Sequence, residues 1–270
     1  MNEYEVIKRI FRPLALNNSL SFALDDDAGL LPNKKQIVVA TDSIVEGDHF
    51  KKNEENSSLI AKKLLRSNLS DLASMGASPF GYTLNLSLPK KLKNKNLINW
   101  IKLFAKGLKE DQIKYQINLI GGDTVITEGS LILSATLFGY KNNKIIKRSD
   151  AKLHDDIYVT GNIGDSGIGY KILLKKLNLN KNLNNFYINQ YKLPNPPIEF
   201  GKKLTAFANS ATDISDGLLA DLNNIILSSK CGAKIYTENI PFTNKTKKLL
   251  SLNKIDINYL LTCGEDYQLI

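Results

Sequence analysis

The fold class follows mainly from "SSLIAKKLLRSNLSDLASMGAS", residues 57–78, and from "FGYTLNLSL", residues 80–88, which comes directly after it. The first stretch has apolar residues at helical spacing between a serine N-cap and Gly76, so it predicts a long helix. The second stretch predicts a strand, and the apolar run "QIVVATD", residues 36–42, predicts a buried strand that ends on Asp42. Strands that alternate with helices in this way are typical of layered α/β or α+β proteins.

The same alternation extends toward both ends of the chain. The remaining predicted helices span residues 3–16, 97–111, about 164–176, 198–209 and 215–230, and the remaining predicted strands span 117–122, 130–140, 157–161, 233–237 and the segment from Tyr267. The polar stretch 140–156 is the best candidate for a domain junction. We therefore predict an α/β (α+β) protein with an N-terminal domain over 1–148 and a C-terminal α/β domain over 149–270.

Composition excludes several classes of protein. The 270 residues contain 43% hydrophobic and 23% charged residues, as in ordinary globular proteins, and no apolar run has the length of a membrane span. The two cysteines and the absence of an apolar leader predict a cytoplasmic protein without a disulfide framework. The net charge of +9 comes from scattered lysine pairs rather than one basic stripe, so we predict no nucleic-acid partner and no membrane partner.

Aspartates recur in segments that contain no basic residue. The chain has 36 Lys and Arg residues, yet none lies in 13–33, 36–50, 67–89, 115–140, 204–229 or 255–270, which are the segments that hold these acids. Acidic residues that have no Lys or Arg near them in the sequence favour binding of a cation from solution. A site made of carboxylates, without Cys or His, suits Mg²⁺. On the helix at 57–78, Ser67, Asn68 and Asp71 are expected to share one polar face. Asp213 and Asp216 flank a helix start whose backbone N–H groups could hold a phosphate oxygen.

Seven motifs of this chain occur in the order found in thiamine-monophosphate kinases. They are "DDAGLL" (26–31), "TDSIVEGDHF" (41–50), "NLSDLASMGASP" (68–79), "LIGGDT" (119–124), "RSDAKLHDDIYVTGNIGDSGIG" (148–169), "DISDGLLADL" (213–222) and "CGEDYQL" (263–269). Each motif alone is weak, but seven in order are specific, and they cover about residues 22–270. The chain thus resembles that family, which belongs to the aminoimidazole-ribotide-synthetase-like superfamily.

The resemblance implies an activity and an assembly. ATP and thiamine monophosphate would give ADP and thiamine diphosphate with several Mg²⁺ ions, and the chain would form a homodimer through its N-terminal domain. Family members continue past the position of Ile270, so the resemblance also implies that the C-terminal domain is incomplete here. The alternatives are another ATP-using member of the superfamily, of the ribotide synthetase, selenophosphate synthetase or hydrogenase-maturation type, and a truncated nucleotide-binding protein without turnover.

The resemblance also implies roles for individual residues. The metal ligands would be Asp27, Ala40, Thr41, Asp42, Asp71, Asp123, Asp213 and Asp216; the ATP contacts Gly122, Asp123, Arg148 and Ser215; the substrate contacts His49 and Glu265. Many members have Ser where this chain has Ala40, so only the backbone carbonyl of Ala40 could serve a metal. No residue is expected to act as general base, because a phosphomonoester is largely ionised near neutral pH.

The three aspartates of "LDDDAGLL", residues 24–31, are not equivalent. The resemblance aligns the acidic pair of the family with Asp26 and Asp27 and leaves Asp25 as an extra residue. In an extended chain Asp25 and Asp27 would share a face, so strand geometry alone does not choose the pair. The resemblance identifies Asp27 as the metal ligand.

Overall fold

The computed structural model describes residues 3–15, 36–51, 56–90 and 95–270. These residues form two compact units. The first comprises the described residues up to Leu72 together with Ser78–Lys141, and the second comprises Ala73–Ala77 together with Asn142–Ile270. Within the described ranges, no helix is both long enough and apolar enough to span a bilayer.

The first unit is built around a four-stranded mixed sheet. Its elements are α1 (Glu3–Val6), a π-helical turn (Ile7–Phe11), α2 (Arg12–Ala15), β1 (Ile37–Val45), α3 (Ser57–Ser74), β2 (Ser78–Pro89), α4 (Lys95–Tyr115), β3 (Asn118–Thr127) and β4 (Ile132–Tyr140). The strand order is β1-β4-β2-β3, with β2 and β3 parallel and the other two pairs antiparallel. The strands and helices predicted for this part of the chain are confirmed, although several bounds differ.

One face of this sheet is buried, and the two long helices pack against each other. Alternate residues of β4, such as Leu133 and Leu137, are fully buried, which is the period expected of a half-covered sheet. Helices α3 and α4 approach closely at Gly107, where a Cβ atom would lie 2.4 Å from the carbonyl oxygen of Ser58. The predicted end of this strand at residue 122 is wrong, because β3 runs on to Thr127, with a register shift near Tyr82 on β2.

The second unit is mainly helical in the structure. Its elements are a 3₁₀ turn (Arg148–Asp150), α5 (Asp165–Leu173), α6 (Lys181–Lys192), α7 (Ile198–Leu204), α8 (Leu218–Ser229), a 3₁₀ turn (Thr237–Asn239), α9 (Asn244–Ser251) and α10 (Ile257–Thr262). Its core collects apolar side chains from α5, α6 and α8–α10, including Ile168, Tyr187, Leu218 and Leu260. Helices α6, α9 and α10 were not predicted, although the capping side chains of Asn180, Thr243 and Asp256 mark their starts.

The three strands predicted for the second unit are not regular strands. Residues 157–161, 233–236 and 267–270 lie outside every helix and strand of the structure, and Thr237 begins a 3₁₀ turn. Part of the expected pairing survives as backbone hydrogen bonds: Thr212 and Ile270 exchange two bonds, and Thr160 donates to Leu269. A regular strand needs a continuous row of backbone hydrogen bonds to a neighbouring strand, and in the described part of this unit only these short stretches form such bonds.

Candidate active site

Three predicted ligands lie on β1, the edge strand of the sheet in the first unit. Ala40, Thr41 and Asp42 pair with Leu137, Thr136 and Ala135 of β4. The Thr41 hydroxyl is exposed, donates to the carbonyl of Ala135 at 3.2 Å, and lies 3.0 Å from the Thr136 hydroxyl. Asp42 is half-buried. The strand therefore holds these consecutive positions in an extended register, with neighbouring side chains on opposite faces.

His49 lies in the turn after β1, and its ring is oriented by the backbone. Its Nδ1 accepts a hydrogen bond of 3.2 Å from the amide of Val45, and its own amide donates to the Val45 carbonyl. The buried ammonium group of Lys63 donates to the His49 carbonyl at 3.1 Å. Since Nδ1 accepts, we assign the proton of the neutral ring to Nε2.

Asp71 lies on α3 and is half-buried, but the polar face expected beside it is absent. Ser67 and Asn68 are both buried. The Ser67 hydroxyl and the Asn68 amide group both donate to the carbonyl of Leu64 on the same helix, at 3.1 and 2.9 Å. Short polar side chains often bond back to the preceding turn of their own helix in this way. The prediction that these two residues share a ligand face with Asp71 is therefore wrong.

Gly122 and Asp123 lie within β3 rather than in a turn. Gly122 has a φ of +157°, and a Cβ atom there would lie 1.9 Å from the carbonyl oxygen of Leu84 on β2. Only glycine allows the two backbones to approach so closely. Asp123 is exposed, and its Oδ1 accepts a hydrogen bond of 2.8 Å from the amide of Thr124.

The register of the sheet separates two of the predicted ligands. Asp42 stands in a row with Ala135 and Leu84, which are both buried, whereas Asp123 stands in the adjacent row with Asn85. Adjacent rows point to opposite faces of a sheet. Among the residues that the structure describes, no three His, Cys, Asp or Glu side chains come close enough to hold a metal ion. Asp27 lies outside the described residues.

In the second unit, the loop before α8 carries three predicted site residues. Asp213 is buried and pairs with Leu269, Ser215 is half-buried, and Asp216 is exposed. Helix α8 begins at Leu218 with Gly217 as N-cap, and no side chain caps it. The predicted helix start at residue 215 is therefore wrong, because the helix begins three residues later.

The backbone N–H groups of this loop are already occupied. The amides of Ser215, Asp216 and Gly217 donate to a single oxygen, Oδ2 of Asp221, at 3.0, 2.9 and 3.1 Å. Burial raises the pKa of the Asp221 carboxyl, and the amide hydrogen bonds oppose that shift. The expectation that these N–H groups hold a phosphate oxygen is wrong, because an internal carboxylate takes all three.

Glu265 adjoins the same loop through its backbone. Its amide donates to the Ser215 carbonyl at 2.8 Å, and its φ is +73°. The contact requires a glycine at the preceding position, since a Cβ atom on Gly264 would lie 2.0 Å from the Ser215 carbonyl oxygen. The structure thus brings together a predicted nucleotide contact and a predicted substrate contact.

Arg148 lies in the 3₁₀ turn near the start of the second unit. Its side chain is exposed, and its Nε donates to the Thr212 hydroxyl at 3.0 Å, next to Asp213 in the sequence. Its carbonyl accepts from the hydroxyls of Ser210 and Ser229. The remaining guanidinium nitrogens can still form the fork that binds phosphate oxygens.

Sequence reasoning missed a second buried carboxylate network. Asp266 accepts from the Gly164 amide at 2.7 Å and from the Ser166 hydroxyl at 2.6 Å, and burial raises its pKa to about 7. Asp165 accepts from the Thr246 hydroxyl at 2.6 Å, and burial raises its pKa as well. The only sequence signal for this network was the acidic residues of "GDSG" and "GEDY". The two motifs are far apart in the sequence, so sequence reasoning did not connect them.

A cleft of about 1190 Å³ opens within the second unit. Asp266 and Asp165 lie in its wall, together with the exposed aromatic rings of Tyr158, Phe200 and Phe207. None of the predicted site residues of this unit lines the cleft. The cleft and the candidate active-site residues are therefore separate features of the unit.

Comparison with known proteins defines first a class and then a family. Residues 25–140 match the family described as AIR synthase related protein, N-terminal domain. The thiamine-monophosphate kinase of Buchnera aphidicola subsp. Schizaphis graminum is 40% identical over 99% of this chain and 82% of its own length. The chain therefore belongs to the thiamine-monophosphate kinase family.

Solved structures show the same relationship. The crystal structure of thiamine-monophosphate kinase from Stenotrophomonas maltophilia K279a matches all of this chain and 85% of its own length, with a TM-score of 0.84 and 34% identity. The structure of AaThiL complexed with AMPPCP and TMP matches 99% of this chain and 83% of its own, with a TM-score of 0.80 and 28% identity.

Proposed function

We propose that this chain transfers the terminal phosphoryl group of ATP to thiamine monophosphate, giving thiamine diphosphate and ADP. The observation that carries the proposal is the 40% identity to a thiamine-monophosphate kinase over 99% of the chain. The AaThiL complex adds support, because its two ligands are an ATP analogue and TMP. An oxygen of the acceptor phosphate attacks the γ-phosphorus while the bond to the bridging oxygen of ADP breaks.

The acceptor explains why the site needs no general base. The second pKa of a phosphomonoester is about 6, so the attacking oxygen carries no proton near neutral pH. Two anionic substrates must instead be brought together against their mutual repulsion. His49 is the residue of the first unit that we propose to contact the acceptor, and the hydrogen bond from the Val45 amide to Nδ1 orients its ring. Arg148 adds a guanidinium fork that remains positively charged at all relevant pH values.

We further propose Mg²⁺ as the metal. The donor set suits a hard ion, because it consists of the carboxylates of Asp42, Asp71, Asp123, Asp213 and Asp216, the Thr41 hydroxyl and the Ala40 carbonyl, together with Asp27. When bound, Mg²⁺ neutralises charge on the transferring phosphates. Gly122 would let the backbone of β3 approach the nucleotide, as it already approaches Leu84.

We propose a homodimer formed through the first unit. Apolar side chains are exposed on one face of its sheet, namely Val39 on β1, Val125 on β3 and Ile132 on β4. Exposed apolar residues gathered on one face favour an interface between chains. Analytical ultracentrifugation of the native chain and of Val39→Lys tests this, and a native monomer at micromolar concentration contradicts it. The cytoplasmic location stays a prediction.

The function is tested by measuring ADP release from the purified chain. Formation of ADP should require both thiamine monophosphate and Mg²⁺, and thiamine diphosphate should appear in equal amount. ADP release with an aminoimidazole ribotide precursor in place of thiamine monophosphate would identify another member of the superfamily. Binding of ATP without any turnover would contradict the kinase assignment.

A further inference from the structure

Asp221 holds the loop that carries two of the proposed ligand-binding residues. Its Oδ2 accepts hydrogen bonds from three consecutive amides, those of Ser215, Asp216 and Gly217, at 2.9–3.1 Å. The side chain of Asp221 is buried, with 2% of the residue exposed. Hydrogen bonds from amides to a charged carboxylate are stronger than those between neutral groups. One carboxylate oxygen therefore sets the direction of three peptide planes.

The loop has little freedom on its other side. Gly217 has a φ of +119°, and a Cβ atom there would lie 2.8 Å from the backbone of Thr262. The Ser215 carbonyl accepts from the Glu265 amide at 2.8 Å. Ser215 is thus held through its N–H by Asp221 and through its carbonyl by the segment after α10. The side chain of Asp216 remains exposed at the tip of this arrangement.

The same contacts decide which kind of ligand the loop can bind. Three consecutive free amides would form a concave site for an anion. Here the amides of Ser215, Asp216 and Gly217 all donate to Asp221, while the side chain of Asp216 is exposed. Because these three amides are occupied and a carboxylate is exposed beside them, the loop favours a cation over a bare phosphate.

We propose that Asp221 is a positioning residue that sets the affinity of the Ser215–Asp216 loop for Mg²⁺ and, through the metal, for the nucleotide. The proposal rests on the proposed function for the identity of these ligands. Asp221 touches neither ligand: it fixes the backbone from which Ser215 and Asp216 reach them. Without it, the three amides lose their acceptor and the loop can rotate toward the conformation that binds an anion.

The test compares Asp221→Asn and Asp221→Ala with Asp165→Asn. Asparagine keeps the shape and one acceptor oxygen, whereas alanine removes both. Asp165 is a matched control, because it is a buried acid of the same unit whose carboxylate accepts from the hydroxyls of Thr243 and Thr246 rather than from the loop amides. For each variant, thermal unfolding, the Mg²⁺ concentration for half-maximal activity and kcat at saturating Mg²⁺ are measured.

We expect Asp221→Asn to need at least about tenfold more Mg²⁺ for half-maximal activity, and excess Mg²⁺ to restore most of its kcat. Asp221→Ala should be more severe. Asp165→Asn should lower the unfolding temperature without changing the Mg²⁺ requirement. If Asp221→Asn has the native Mg²⁺ requirement, or if Asp165→Asn changes the requirement equally, the positioning role is wrong.

Two measurements separate this proposal from the proposed function. Hydrogen exchange reports on the amides of Ser215, Asp216 and Gly217 directly, and they should be protected in the native chain and exchange faster in Asp221→Ala. Equilibrium binding of Mg²⁺–ATP does not require turnover. If the native chain binds Mg²⁺–ATP but forms no thiamine diphosphate, the kinase assignment fails. In that case, weaker equilibrium binding of Mg²⁺–ATP by the Asp221 variants would still support the role of Asp221. Unprotected amides in the native chain would overturn it.

Discussion

The backbone amide of Glu265 donates a hydrogen bond of 2.8 Å to the carbonyl of Ser215. Fifty residues separate the two in the sequence, yet this bond joins the loop before α8 to the segment after α10. A residue proposed to contact the nucleotide is thereby held against one proposed to contact the acceptor. Because the bond is made by backbone atoms, it does not depend on the chemistry of either side chain.

Replacing Asp123 should cost catalysis far more than stability. Its carboxylate is exposed and accepts from the amide of Thr124, so Asp123→Asn should change the free energy of unfolding by less than about 1 kcal/mol. The loss of a proposed Mg²⁺ ligand should lower kcat/KM by at least about a hundredfold. The measurements are denaturant unfolding and steady-state kinetics.

Glu128→Gln provides the matched control for Asp123→Asn. Glu128 is also an exposed acid of the first unit, and it forms a surface ion pair with Lys90 that should contribute less than about 1 kcal/mol. This variant should have native kinetics. Near-native turnover in Asp123→Asn would remove Asp123 from the proposed site.

A methyl group at Gly122 should disrupt the pairing of β2 and β3. The added Cβ atom would lie 1.9 Å from the Leu84 carbonyl oxygen, which is far inside van der Waals contact, so the strands must separate. We expect Gly122→Ala to lose more than about 2 kcal/mol of unfolding free energy. Gly121→Ala is the control, since nothing lies within 4 Å of its Cβ position. Equal thermal stability of the two variants would contradict the strand register described above.

The buried ion pair between α3 and α4 should be important for stability. Arg66 donates to both carboxylate oxygens of Asp111, at 2.7 and 2.8 Å, and both side chains are buried. Arg66→Met leaves a buried carboxylate without its cation, so it should cost about 3–5 kcal/mol.

A double-variant cycle tests whether the loss in Arg66→Met comes from the stranded charge. Arg66→Met combined with Asp111→Leu removes both charges and should recover most of the unfolding free energy. Glu110→Gln is a useful comparison, because Glu110 pairs with Lys62 near the surface of the same helices and should contribute less than about 1 kcal/mol. Additive losses in the double variant would refute the stranded-charge explanation.

Stability should depend on pH through Asp266. Burial raises the pKa of Asp266 to about 7 in the folded protein, whereas an unfolded chain releases this proton near pH 4. Between these values the folded state binds more protons, so the contribution of Asp266 to the free energy of unfolding falls as pH rises from about 4 to 7. Asp266→Asn cannot ionise and lacks this contribution.

Denaturant unfolding of the native chain and of Asp266→Asn at pH 5 and pH 8 measures the effect. The native chain should lose stability relative to the variant at the higher pH. A stability difference that is the same at both pH values would show that Asp266 does not hold its proton in the folded protein.

The acidic triplet 25–27 lies outside the described residues, so its roles stay predictions. Asp27→Asn should lower kcat/KM at least about a hundredfold, because Asp27 is the aligned metal ligand. Asp25→Asn, which changes the same charge two residues earlier, should stay within about threefold of the native value. If Asp25→Asn lowers kcat/KM more than Asp27→Asn does, the acidic pair of the family aligns one residue or more earlier in this chain.

The sequence by itself determined most of the first unit. Hydrophobic periodicity identified its strands and long helices, since the period of two or 3.6 residues is a local property of the chain. The motifs around Asp42, Asp71, Asp123, Asp213 and Glu265 identified the family that the comparisons show. Helix α6 was missed although Leu183, Tyr187 and Tyr191 follow one another at helical spacing. The strand predictions at 157–161 and 233–237 failed because these segments have a strand-like composition but find no continuous partner.

Only the tertiary structure decided which polar groups are available to a ligand. The helix start at 215–217 predicts an anion site, but Asp221 fills it from the first turn of α8. The spacing of Ser67 and Asp71 predicts a shared face, but Ser67 bonds back to its own helix. Backbone and side-chain donors bond to the acceptors that the tertiary fold brings nearest, and the periodicity and spacing of the sequence do not reveal those acceptors.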